Sequence, residues 1–116
     1  MSRHDKSRTD EAGLLQGTLD LLILKVLALE PLHGYGIAQR LKQISREALQ
    51  IRQGSLYPAL YRLEKRGMLK AQWRTAGGRE AKYYSLTRAG HQQLQSETEG
   101  WERLCAAVRL VLETSR

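Results

Sequence analysis

A chain of 116 residues has room for one small domain plus one appended element. Its single cysteine, Cys105, excludes an intrachain disulfide and a cysteine-based zinc site, so the core must come from packing or from dimerisation. The net charge of +7 is unevenly spread: residues 52–88 carry nine Lys/Arg against Glu64 and Glu80, a local +7, while residues 1–51 stand at +1 and residues 89–116 at −1. Such a concentration on one segment is the electrostatic footprint of a phosphate-binding face.

The first residues, MSRHDKSRTDEAG, lack the apolar stretch of a signal peptide and read as a polar N-terminal arm over 1–13. Arg3, Lys6 and Arg8 on it are either solvated or touch DNA. Thr18 is the expected cap of a first helix, with Asp20 in its first turn and Leu19, Leu22, Ile23, Val26 and Leu27 at helical spacing before Pro31. The longest apolar run here is broken by Lys25 and falls short of the roughly 20 residues of a membrane span, so a cytoplasmic protein without membrane contact is expected.

A second helix is predicted to begin near His33 to Tyr35, with Ile37, Ala38, Leu41 and Ile44 inward. After it, QIRQGS is either a connector or a minimal strand at Ile51 that would be the third of a small sheet. Ser55 can cap a third helix, Pro58 is placed in its first turn, and Leu56, Leu60 and Leu63 form its inner stripe before Gly67 stops it. Leu69, Ala71 and Trp73 then alternate with polar residues, as do Lys82, Tyr84 and Leu86, which predicts a hairpin around Ala76 to Glu80. Thr87 caps a last helix running to about Glu113, where Leu94, Trp101, Leu104, Val108 and Val111 fit a and d positions of a heptad and call for a partner helix. The fold class is thus mainly α with a small β-hairpin wing: a winged helix-turn-helix over 14–87 followed by a C-terminal dimerisation helix over 88–116.

In such a motif the helix before the wing enters the major groove with its N-terminal residues toward base edges. Gln53, Ser55, Tyr57, Pro58 and Arg62 are therefore the candidate contacts on the third helix, with Arg62 suited to guanine and Gln53 and Ser55 to phosphate or an adenine edge. Tyr57 and Tyr61 have the alternative of packing at the core edge. Arg79 at the glycine-flanked wing tip and Lys82 behind it suit phosphate or a narrow minor groove, and Tyr35 either bonds a phosphate or packs. His4, His33 and His91 lack metal-ligand spacing, no glycine loop cradles a phosphate, and no nucleophile has an evident base, so neither catalysis, metal nor cofactor is expected. Cys105, beside the heptad stripe, is either a packed thiol or a redox sensor.

The runs LLILKVLALEPLHGYGIAQRL, GSLYPALYRLEKRGML and GGREAKYYSLTRAG, in that order, resemble the PadR family of bacterial transcriptional regulators over about residues 14–112. The resemblance implies a homodimer on a pseudo-palindromic operator in double-stranded DNA, usually acting as a repressor; the single helix after the wing is similar to the short subgroup. In multidrug-responsive members of that subgroup a tryptophan at the place of Trp101 stacks flat aromatic ligands. A small aromatic effector would then be lined by Leu14, Leu15, Trp101, Leu104, Cys105 and Val108, against the alternative that Trp101 only packs the dimer. The rival class is a winged-helix protein-interaction module without specific DNA binding, which the concentrated charge disfavours.

Overall fold

The computed structural model describes residues 9–10 and 16–115. A first short strand, β1 (Thr9–Asp10), runs parallel to β3 (Leu49–Gln50). Between them lie α1 (Gln16–Leu29), β2 (Leu32–His33) and α2 (Gly34–Ile44); α3 (Gln53–Lys65), β4 (Leu69–Ala76), β5 (Arg79–Leu86) and α4 (Arg88–Glu113) follow.

The apolar stripes of α1, α2 and α3 meet in one core. Ile23, Leu24, Ile37, Leu56 and Leu60 are fully buried there, with Val26, Leu63, Leu69 and Tyr84 close behind. Ile51 lies in the connection to α3, the connector of the two alternatives, and packs into this core. The third strand of the sheet is β2, paired antiparallel to β5 through Leu32↔Tyr84 and His33↔Tyr83. Ile44 is half exposed at the end of α2, because the helix stops as its inner face leaves the core.

Helix boundaries show what caps them. α1 begins at Gln16, so Thr18 lies inside it and does not cap it. His33 caps α2, its Nδ1 accepting from the Gly36 N–H at 2.9 Å. α3 begins at Gln53 after Arg52, which makes no side-chain cap, so Ser55 is within the helix and Pro58 lies beyond the first turn. Both α2 and α3 end in paired bonds that recover their last carbonyls. The Met68 and Gly67 N–H groups donate to Leu63 and Glu64, and the Glu47 and Arg46 N–H groups donate to Lys42 and Gln43. Gly67 sits at φ +78°, natural for glycine, while Arg46 and Glu47 hold φ 54° and 69° with side chains attached.

Strands β4 and β5 are joined by Gly77 and Gly78, both at positive φ, the two-residue turn whose twist matches a hairpin. At the hairpin's base Thr87 ties three elements together. Its Oγ1 donates to the Gly67 carbonyl at 2.6 Å and accepts from the Gly90 N–H at 3.1 Å, and its own N–H donates to Met68. Gly90 abuts the Met68 carbonyl so closely that no side chain fits.

Candidate nucleic-acid interface

The buried stripe of α3 fixes what its other sides present. With Leu56, Ala59, Leu60 and Leu63 inward, helical spacing puts Pro58, Tyr61 and Lys65 on the outer side, and all three are exposed. The Lys65 ammonium lies 5.6 Å from the Tyr61 ring. Gln53 is exposed and Ser55 half-buried at the N-terminal end, where free backbone N–H groups and the helix dipole favour an anion.

Beside that end a cleft of about 730 Å³ opens between the start of α2, Tyr57 of α3 and the wing. Tyr35, Tyr57, Arg79 and Lys82, named from the sequence as DNA contacts, all line it. Gly34 makes the close approach possible, because a side chain there would overlap the Tyr57 ring. Lys82 Nζ lies 3.5 Å from Glu64 Oε1 and 5.6 Å from the Tyr84 ring, so its ammonium is drawn toward α3. Burial raises the Tyr84 hydroxyl above its usual value, which keeps it protonated.

The wing side of the cleft contains a residue that the sequence marks only as part of a strand. Trp73, 65% exposed, lines the cleft from β4 opposite Lys82. Its alternation with Leu69 and Ala71 is a strand signal and no more, since the same face that is buried at Leu69 projects past the core at Trp73. Tyr83 is held by the His33 ring, edge-on at 5.2 Å, and by the Arg74 guanidinium at 4.9 Å. The wing thereby gains a second brace to the start of α2.

Arg62 is not on this surface. Its Nη2 lies 2.6 Å from Oδ1 of Asp20, a carboxylate only 5% exposed in α1. Arg62 thus stands on the flank of α3 that faces α1, and the guanine contact expected of it would have to be made by a guanidinium already paired with Asp20.

The distal residues fare differently. Leu94 packs on the chain's own core, whereas Trp101, Leu104, Val108 and Val111 are exposed and Cys105 is half-buried. Leu14 and Leu15 lie outside the described residues. Among the described residues, no group of three or more His, Cys, Asp or Glu could hold a metal ion, and no helix is long and apolar enough to cross a membrane.

Comparison with known proteins gives this geometry a family. Residues 23–96 match the family described as transcriptional regulator PadR-like. The chain is 35% identical over 88 residues to Transcriptional regulator Rv3488 of Mycobacterium tuberculosis, covering 76% of this chain and 79% of that one. Among solved structures it is similar to a PadR family transcriptional regulator from Eggerthella lenta, at TM-score 0.73 and 35% identity over 86% of each chain. A PadR-like transcriptional regulator from Bacillus cereus superposes at TM-score 0.75 and 26% identity, covering 87% of this chain and 97% of that one. The chain belongs to the PadR-like family of transcriptional regulators, DNA-binding proteins rather than enzymes.

Proposed function

We propose that the protein is a cytoplasmic, homodimeric repressor that binds a pseudo-palindromic operator through α3 and the wing. The observation that carries this reading is the convergence of Tyr35, Tyr57, Arg79 and Lys82 on one cleft beside the N-terminus of α3. A sugar-phosphate strand suits that cleft: Arg79 and Lys82 supply charge, the tyrosines supply hydroxyl donors, and Gln53, Pro58 and Tyr61 face the adjacent groove. The exposed stripe of α4 is the natural contact with a second copy, since contiguous apolar surface of this kind marks an interaction site. A flat aromatic effector stacked between the two Trp101 rings, against Leu104, Cys105 and Val108, would act by favouring a dimer whose reading helices miss adjacent half-sites.

Selection of bound duplexes from a random pool tests the reading, with Arg79→Ala run beside the wild type. The expected product is an inverted repeat with half-site centres about 34–36 Å apart, one helical turn, and weaker binding by Arg79→Ala. Recovery of sequence-blind, salt-sensitive binding alone would overturn the operator-specific regulator.

A further inference from the structure

The reading helix is held on both flanks by ion pairs. Toward the wing, Glu64 meets Lys82 at 3.5 Å with both side chains about a third exposed; toward α1, Arg62 meets the buried Asp20 at 2.6 Å. The leucine stripe between them decides which side of α3 faces inward, but apolar contact has no directional preference of its own, so the last few degrees of roll about the helix axis are left to polar contacts. A short charge-assisted hydrogen bond is directional. We propose that Arg62 is a positioning residue: anchored on Asp20, it sets the roll of α3 and so decides which of its side chains face DNA.

This rests on the DNA-reading role of α3 and assigns Arg62 a part in it other than base contact. Two features argue that the pair serves placement more than stability. Arg62 Nε is buried without a hydrogen-bond partner, and burial raises the Asp20 carboxyl despite the adjacent guanidinium. Buried pairs of this quality contribute little net stability, and fixing an arrangement is a reason to retain one. The charge of Glu97 on α4 adds to the rise at Asp20, so the long helix is felt at this pair.

The test is a double-mutant cycle on duplex affinity with Asp20→Asn, Arg62→Met and the double variant, plus Arg62→Lys, all measured well below their melting temperatures. Positioning predicts that each single change weakens binding about tenfold and that the double is no worse than either single, as for residues acting as one unit. Arg62→Lys should recover part of the loss, and base preference should stay that of the wild type. Should Arg62→Met fail to fold, the near-isosteric Asp20→Asn carries the test alone, because a base-reading Arg62 would bind as before without its carboxylate. Wild-type affinity in Asp20→Asn, or a changed preference at one base pair in Arg62→Met, overturns the proposal. The cycle is read on any duplex that the wild type binds, so sequence-blind wild-type binding would defeat the operator reading while still deciding the role of the pair.

Discussion

The apolar residues of α3 and those of the distal half of α4 follow the same helical spacing and meet opposite fates. Leu56, Leu60 and Leu63 have α1, α2 and β4 packed over them; Trp101, Leu104, Val108 and Val111 stand outside the core formed by the described residues and are exposed. The boundary falls within α4, after Leu94, where the helix leaves the body. Periodicity therefore states that a face must be covered, and chain length and topology decide whether the chain itself can do so. A 26-residue helix of roughly 39 Å outruns a core built from helices of 11–14 residues.

Truncation should separate the two regions most sharply. Leu60→Ala is expected to cost about 3 kcal/mol by opening a cavity in a site that cannot collapse, read as a lower denaturation midpoint. Trp101→Asp combined with Val108→Asp should leave the fold of the body intact and convert a dimer to a monomer in sedimentation. A persisting dimer would place the interface elsewhere. A smaller effect should come from the two helix stops, where glycine and arginine occupy equivalent left-handed positions. Arg46→Gly is expected to stabilise the body by up to about 1 kcal/mol, seen as a raised Tm, by relieving a conformation costly for a side chain.

The smallest expected effect is the pH response of the body. Burial raises the Asp20 carboxyl above 3.8; Arg62 opposes the rise, Glu97 adds to it and Arg66 opposes it. The folded state consequently holds that proton more tightly than the unfolded chain. Asp20's contribution is fully present below 3.8 and is lost as pH rises through the raised value. Asp20→Asn should flatten this part of the Tm–pH curve.

Local chemistry made much of this legible. The leucine stripes, the Gly67 stop, the Gly77–Gly78 turn and the Thr87 cap each depend on residues within a few positions of one another. What escaped was set from afar. Arg62 and Asp20 are 42 residues apart, so no spacing rule pairs them, and an arginine on a basic helix reads as a DNA contact until its partner is known. The strand β2 exists only because β5 returns beside it, and nothing in its two residues announces that. Ser55 and Pro58 mark a helix start by type, yet α3 begins at Gln53, where no side chain signals a cap.

Thr87 binds the end of α3, the base of the wing and the first turn of α4 within a single residue's reach. The long helix is thereby a lever whose fulcrum sits at the DNA-facing body. A tilt of about 5° about Thr87 displaces the far end of a roughly 39 Å arm by roughly 3 Å. In the proposed dimer, with two such levers joined at their far ends, small adjustments of side-chain packing would become changes of angle at the fulcrum, and that angle would set the spacing between the two reading helices.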